Sequence, residues 1–311
     1  MGVHDFNKYL ESKGYKTRTV SMGDLRDKNV AVDVSVFIHK AMSIHNEGKD
    51  IIRFFTLMIE RFKLYNITPI FIFDGIPCKL KENEHKKRNK VREENESKLK
   101  KLETEINEIK KANSIETDTT IYELYMNNTI SDDVKSKYSN LCSEYDKINK
   151  RIININKEDI KALKEYISKS NCKQYTIDYH EAESFCTYLS RKGKVDYVLS
   201  VDSDCIVFGS ENVIIDYGNT KNEFECWNRR DVLKTLGFTD EDKIVEFKRM
   251  FHFGLLLGND YIKRAKGNGP VTVHKMILES KNYGELEAKL YHKDIYSEFI
   301  NEYLFDYSSM L

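Results

Sequence analysis

Acidic residues follow three short apolar runs of the sequence and recur in two pairs and one loop. The full set is Asp33, Asp74, Glu181, Glu183, Asp202, Asp204 and Asp260. Hydrolysis of a phosphodiester near neutral pH needs a nucleophilic hydroxide and a counter-charge for the leaving oxygen. Paired Mg²⁺ or Mn²⁺ ions about 4 Å apart supply both, and these hard cations prefer oxygen ligands. The set therefore indicates a two-metal centre.

Each of these acidic residues also has a simpler explanation when it is taken alone. Asp33 suits a cap for the helix or turn that follows its apolar run. Glu181 suits a capping box with Asp178 at a helix start. Asp202 and Asp204 form a D-x-D pair, which is typical of metal-dependent sugar transferases. These alternatives stay open for the single residues.

The elements that must position the acidic residues are predicted to form an α/β fold. Continuous apolar runs such as 30–32, 70–73 and 197–201 are typical of strands buried on both faces. Helical spacing separates them, from Ile51 to Phe62 and again from Ile160 to Ile167. Strands that alternate with helices predict a central, mostly parallel sheet flanked by helices. Ligands of such sheets gather at the carboxyl ends of the strands, where the Asp residues stand.

A charged insertion divides this predicted core. Apolar residues become sparse from 79 to 154, where Lys and Glu dominate, whereas 1–78 and 155–311 have the composition of the core. Within 92–111, apolar residues spaced by three or four predict a long helix with a narrow apolar stripe. The insertion is predicted to be a helical lobe, and a solvated helical hairpin is its simplest interpretation.

Two local concentrations of basic residues could contact phosphates. Residues 79–92 contain seven Lys or Arg against two Glu, and on a helix Lys81, Arg88 and Arg92 fall near one stripe. The turn 263–270 contains no acidic residue, and its glycines let backbone amides approach a phosphate closely. A solvated helix face and an ordinary Gly-rich turn are the simpler interpretations.

The overall composition restricts the class of protein. The chain has 311 residues, and 50 Lys and Arg balance 50 Asp and Glu, so any nucleic-acid footprint must be local. The six cysteines show neither a C-x-x-C spacing nor a secreted context, which predicts reduced thiols. No apolar run is long enough to span a bilayer, and the opening residues lack a signal-peptide pattern. We therefore expect an intracellular, soluble protein that has no membrane partner.

The order of the short motifs resembles that of one family, the flap endonucleases and their xeroderma-type relatives among the 5′ nucleases. The motifs are Met1-Gly2-Val3, Val32-Asp33-Val34-Ser35, Phe73-Asp74-Gly75, Glu181-Ala182-Glu183-Ser184, Val201-Asp202-Ser203-Asp204 with Phe208-Gly209-Ser210, and Leu257-Gly258-Asn259-Asp260-Tyr261. The resemblance implies a PIN-like nuclease core, a helical arch at 79–154 and a helix–two-turn–helix at about 255–280.

The resemblance also implies roles for individual residues. The seven acidic residues would bind two Mg²⁺, for which Mn²⁺ can substitute, and Lys81 and Arg88 would stabilise the scissile phosphate. A K⁺ ion would bind at the helix–two-turn–helix. Contacts to DNA are implied for Gly2, His39, Lys263, Arg264, Lys266, Gly267 and Gly269.

The predicted activity is hydrolysis of DNA at junctions between single and double strands, in replication, repair or recombination. The expected partner is branched or flapped DNA, bound by a monomer in the nucleus or at a site of viral DNA replication. No sliding-clamp motif is seen. The alternatives are a catalytically silent scaffold for branched DNA and, with less support, a D-x-D glycosyltransferase.

Overall fold

The computed structural model describes residues 2–45, 48–76, 82–113, 115, 130–149, 152, 155–178 and 181–280, and these residues form eleven helices and seven strands. The strands are β1 Arg18–Ser21, β2 Asn29–Asp33, β3 Thr68–Phe73, β4 Lys173–Thr176, β5 Tyr197–Leu199, β6 Asn212–Ile214 and β7 Glu223–Asn228. The helices are α1 Phe6–Ser12, α2 Val34–His45, α3 Gly48–Leu64, α4 Glu82–Ala112, α5 Asp132–Asn149, α6 Lys157–Lys169, α7 Ala182–Arg191, α8 Ser203–Val207, α9 Arg229–Thr235, α10 Lys243–Leu257 and α11 Pro270–Glu279.

All seven strands belong to one sheet, in the order β1-β7-β6-β5-β2-β3-β4. The pairs from β6 through β5, β2 and β3 to β4 are parallel, whereas β7 is antiparallel to both β6 and β1. The predicted α/β class with a mostly parallel sheet is therefore confirmed. The carboxyl ends of β5, β2 and β3 lie side by side at one edge.

Side chains that alternate along the central strands contribute to one hydrophobic core on each face of the sheet. Ala31, Ile70 and Val198 pack with α1, α7, α8, α10 and α11 on one face. Val30 and Phe71 pack with α2, α3 and α6 on the other face. Because successive side chains of a strand point to opposite faces, a strand between two helical layers must be apolar throughout. This requirement explains the continuous apolar runs of the sequence.

Several predicted elements are present, and the three apolar runs of the sequence correspond to β2, β3 and β5. Helix α6 begins at its predicted cap, where Asn156 accepts a hydrogen bond from the Asp159 amide at 2.7 Å. Pro270 occupies the first turn of α11, as its fixed φ favours. The edge strands β1 and β4 were not predicted, because they bury few side chains and so have no apolar run.

Helices α4 and α5 form the described part of the charged insertion. Their apolar stripes meet in two small clusters, one containing Leu102 and Ile148, the other containing Ile115 and Tyr138. The predicted long helix is thus confirmed, and it packs against a second helix. The division of the chain at residues 79 and 154 stays a prediction.

Two further expectations bear on the described residues. The described cysteines carry free thiols, as expected; they are Cys142, Cys172, Cys186, Cys205 and Cys226. Cys78 lies outside the described residues. None of the described helices combines the length and the apolar character that crossing a bilayer requires.

Candidate metal centre

The centre is built first from neighbouring strand ends. Asp33 is the last residue of β2, Asp74 follows β3 directly, and Asp202 lies three residues beyond the end of β5. In the register of the sheet, Val32 lies opposite both Phe71 and Leu199. Parallel pairing therefore brings three carboxylates that are remote in sequence to one edge.

Asp33 lies at the buried centre of this edge. Its side chain accepts a hydrogen bond from the Ser200 hydroxyl at 3.1 Å. Burial raises the pKa of Asp33 well above its ordinary value, and the negative charges of Asp74, Glu183 and Asp202 raise it further. These four carboxylates therefore lie close enough to repel one another, which is costly unless cations share the site.

Asp74 connects β3 to the start of α7. One carboxylate oxygen accepts the Ala182 amide hydrogen at 2.8 Å, and the other accepts the hydroxyl hydrogen of Ser35. The backbone amides of a first helical turn have no partner within the helix, so Asp74 satisfies one of them from another strand. This contact holds the Glu181–Glu183 segment beside the strand ends.

The two Glu residues lie at the start of α7 and share a partner. Glu181 occupies the N-cap position, so the structure does not contain the alternative capping box with Asp178. The Tyr261 hydroxyl donates to Glu181 Oε2 at 2.7 Å and lies 3.4 Å from Glu183 Oε1. Glu183 is buried. Tyr261 thereby connects the loop of Asp260 to this helix start.

The D-x-D pair forms the start of the short helix α8. The Asp202 side chain caps the helix by accepting a 2.9 Å hydrogen bond from the Asp204 amide. The same side chain also belongs to the acidic cluster. Ligand oxygens of Glu183, Asp202 and Asp204 all lie within 4.8 Å of one another. All three residues are buried. Such an oxygen-only set suits a divalent cation such as Mg²⁺.

The first residues of the described chain lie against this helix start. The Val3 amide donates to Ser203 Oγ at 2.9 Å, and the His4 amide donates to the Gly258 carbonyl at 2.9 Å. A Cβ at Gly2 would collide with the Asp202 carboxylate and the Ser203 hydroxyl, and φ at Gly2 is +94°. Glycine is therefore required where the chain passes the acidic cluster.

A cation from α4 reaches the same region. Arg88 Nη2 lies 3.1 Å from Asp260 Oδ2, and the Asp260 side chain is 12% exposed. Partial burial and the nearby Arg88 guanidinium lower the pKa of His39, whereas Asp74 opposes the shift. Arg88 and His39 thus stand beside the carboxylates. Lys81 lies outside the described residues.

The Gly-rich turn lies between α10 and α11. Arg264 forms a 2.7 Å ion pair with Asp5, while Lys263 and Lys266 are exposed. Gly267 has φ +92°, and Gly269 precedes Pro270 at the start of α11. The turn presents two basic side chains and the start of a helix to solvent, an arrangement that favours anions.

Comparisons with known families identify the family of this chain. Residues 1–95 match the XPG N-terminal domain and residues 174–260 match the XPG I-region, which together cover more than half of the chain. The chain belongs to the family of flap endonucleases and XPG-type 5′ nucleases. The two matched regions contain all seven acidic residues and Arg88.

Relatives of known name agree with this family. Over 305 residues the chain is 22% identical to flap endonuclease 1 of Mus musculus, covering 93% of this chain and 69% of the relative. Over 242 residues it is 28% identical to flap endonuclease 1 of Methanobrevibacter smithii, covering 75% of this chain and 57% of the relative. The match thus spans about three fifths to two thirds of these relatives.

Solved structures show the same fold. The catalytic core of Rad2 in complex with DNA substrate has a TM-score of 0.56 at 23% identity, covering 99% of this chain and 75% of that chain. The Holliday junction-resolving enzyme GEN1, in complex with product DNA and a Mg²⁺ ion, has a TM-score of 0.55 at 15% identity, covering 96% and 57%. The fold is therefore that of the 5′ nuclease family.

The structure brings together most of the residues that the sequence proposed, and it adds others. Hydrogen bonds, ligand distances and mutual electrostatic effects connect the seven acidic residues and Arg88, although their catalytic roles stay predictions. Ser35, Ser200, Ser203 and Tyr261 were given no role from sequence. Ser35, Ser203 and Tyr261 lie within the family motifs, and Ser200 precedes one of them. Only the fold shows that Ser35, Ser200 and Tyr261 each contact a carboxylate and that Ser203 accepts a hydrogen bond from the Val3 amide.

Proposed function

We propose that this protein hydrolyses phosphodiester bonds of branched or flapped DNA at junctions between single and double strands. The proposed reaction uses two Mg²⁺, for which Mn²⁺ can substitute. The setting is DNA replication, repair or recombination, in the nucleus or at a site of viral DNA replication. Family membership supports the nuclease chemistry. The solved structures similar to this chain that contain DNA support the substrate class.

One observation supports the proposal most strongly. Asp33, Asp74, Glu183 and Asp202 are held within electrostatic range by three adjacent strand ends and one helix start. Asp33, Glu183 and Asp202 are buried, and buried like charges are unfavourable unless cations bind to them. All of the donors are oxygen atoms, which fits Mg²⁺ and Mn²⁺ and does not fit soft metals. The residues present therefore fit the proposed cofactor.

Each part of the centre has a proposed role. Asp33, Asp74, Glu181 and Glu183 would hold one ion, and Asp202, Asp204 and Asp260 the other. Bound divalent cations supply an activated hydroxide and stabilise charge on the leaving oxygen. Ser35, Ser200 and Tyr261 would orient the carboxylates through the hydrogen bonds described above. Burial of Asp33, Glu183, Asp202 and Asp204 strengthens the electrostatic interactions of these carboxylates.

The remaining predicted residues would hold the DNA. Arg88, and Lys81 seven residues before it in the sequence, would stabilise charge on the scissile phosphate, and His39 would contact a nearby base. Gly2 would let the backbone lie against the strand being cut. Lys263, Arg264, Lys266, Gly267 and Gly269 would grip the uncut duplex, with K⁺ bound at the turn. Such phosphate contacts position a duplex without reading its sequence.

Incubation with a labelled 5′-flap duplex tests the proposal. The wild-type protein should cleave near the junction when Mg²⁺ is present and should not cleave in a chelator. Asp204→Asn and Asp74→Ala should each reduce cleavage to background, because each removes a proposed ligand, while binding to the flap in Ca²⁺ persists. Glu279→Gln is the control, since Glu279 is exposed and paired only with Lys275 among the described residues.

The outcomes separate the rival functions. Binding without cleavage in Mg²⁺ and Mn²⁺ would identify a catalytically silent scaffold. Absence of both binding and cleavage would reject a DNA-processing role altogether. Wild-type turnover by either ligand variant would remove that residue from the mechanism.

A further inference from the structure

A cavity of about 670 Å³ lies between α7, α9 and α10. Its lining includes Arg191 at the end of α7, Arg229 and Arg230 at the start of α9, and Phe247 of α10. None of the seven acidic residues of the candidate metal centre belongs to the described lining. The cavity therefore differs in composition from the proposed active site, and the proposed nuclease function leaves it unused.

Arg229 is a buried cation with incomplete hydrogen bonding. Its Nη1 donates to the carbonyls of Ile206 at 2.6 Å and Val207 at 3.1 Å, in the last turn of α8. Its Nη2 is buried and has no hydrogen-bond partner within the described part of the chain. A buried charge normally needs both a counter-charge and full hydrogen bonding. The two carbonyl oxygens supply part of the hydrogen bonding of Arg229 and no formal counter-charge.

A second cation lies next to Arg229. The guanidinium groups of Arg191 and Arg229 lie 5.9 Å and 5.7 Å from the ring centre of Phe247. Burial lowers the pKa of Arg229 to about 10, and the charge of Arg191 lowers it further, while Glu211 and Glu246 oppose the shift. The cavity wall thus holds two like charges close together. An anion would relieve their repulsion.

Two of the three acidic residues of the lining already have other partners, whereas the charge of Glu211 favours the cationic form of Arg229. Glu246 accepts hydrogen bonds from Lys243 at 2.8 Å and from the Asp240 amide at 3.0 Å. Asp240 pairs with Arg249 at 3.0 Å. With the exposed Arg230 and Lys243, the described lining holds four cationic side chains against the three carboxylates of Glu211, Asp240 and Glu246. The lining therefore presents more positive charge than its own carboxylates balance.

We propose that this cavity binds a small phosphate-type dianion through Arg191, Arg229 and Arg230, either as free phosphate or as the phosphate of a mononucleotide. Guanidinium groups bind phosphate through paired, charge-assisted hydrogen bonds. The volume lies within the range of small-molecule sites, so it accommodates either source. This site is independent of the proposed nuclease function.

Titration calorimetry of the full chain in a chelator tests the site without divalent cations. Inorganic phosphate and deoxyadenosine 5′-monophosphate are the two probes, and deoxyadenosine is the uncharged control. Arg230→Gln should weaken phosphate binding by about tenfold or more, because it removes a charge-assisted contact. Arg26→Gln should leave binding unchanged, since Arg26 is exposed and does not line the cavity.

Arg191→Gln is the second test variant. Arg229→Gln is less suitable, because Arg229 also holds the last turn of α8. Binding of one or both phosphate probes, lost in Arg230→Gln and Arg191→Gln, supports the site and identifies its ligand source. No binding, equal binding of deoxyadenosine, or binding that both variants retain would overturn the proposal. Flap cleavage by Arg230→Gln in Mg²⁺ should equal that of the wild type, which keeps the two proposals separable.

Discussion

Single residues in the candidate metal centre perform two tasks at once. Asp202 caps α8 and belongs to the acidic cluster, and Asp74 accepts the first amide of α7 while facing Asp33. For Asp202, the simpler explanation as a helix cap was therefore not an alternative to the chemical one. For Asp202 the cap is the contact that fixes the carboxylate in place.

At the scale of single residues, substitution of Arg88 tests its proposed role in stabilising charge on the phosphate. Its ion pair with Asp260 places the guanidinium beside the proposed ligands, where charge develops on the phosphate during cleavage. Arg88→Gln should lower single-turnover cleavage by about 10²-fold or more while the Kd for flap DNA changes only a few fold.

The matched control for this test is Arg92→Gln. Arg92 lies one turn further along α4 and pairs with Glu96 at 2.9 Å. Cleavage should be close to that of the wild type in this variant. An effect of Arg88→Gln on Kd alone would make Arg88 a docking residue.

At the scale of elements, the charged insertion forms a pair of helices with few apolar residues. A stretch with so few apolar residues folds because the stripe of α4 meets the stripe of α5. Leu102 is 8% exposed and packs in a cluster with Ile148 and Ile152. Because these clusters are separate from the two sheet cores, the helix pair gains its stability locally.

Leu102→Ala should therefore destabilise the insertion without unfolding the sheet. Loss of a buried leucine costs about 2–5 kcal/mol, and the low end applies to a cluster this small. Amide hydrogen exchange should quicken in α4 and α5 and stay unchanged in β2 and β3. Leu64→Ala is the control, since Leu64 is 76% exposed. Equal loss of protection in both regions would show that the chain unfolds as one unit.

For the whole molecule, zero net charge conceals a local distribution of cations. One basic stretch, 79–92, lies in the charged insertion and the other, 263–266, lies between α10 and α11, while acidic residues gather at the strand ends. Binding to DNA should therefore depend on a few phosphate contacts and not on the total charge.

Salt dependence of binding measures these contacts. Log Kd for a flap duplex should rise linearly with log salt, with a slope of about 0.9 per neutralised phosphate. Two flaps of equal geometry and different sequence should give the same Kd, because phosphate contacts read shape. Binding that is insensitive to salt, or that follows base sequence, would contradict this interpretation.

The sequence by itself determined the α/β class and the long helix of the insertion, and it predicted the acidic set. These features follow from local rules. Buried strands such as β2 and β3 must be apolar along their whole length, and Asn156 and Pro270 fit helix starts through their own chemistry. The edge strands β1 and β4 escaped prediction because they bury too little to leave a pattern.

Only the tertiary structure decided which side chains meet. Parallel pairing of β5, β2 and β3 brings Asp33, Asp74 and Asp202 together, and the Tyr261 hydroxyl joins two segments that lie 80 residues apart. The cavity around Arg229 likewise has no counterpart in any sequence motif. Spacing along a chain fixes only local geometry, whereas contacts between distant residues depend on how the elements pack.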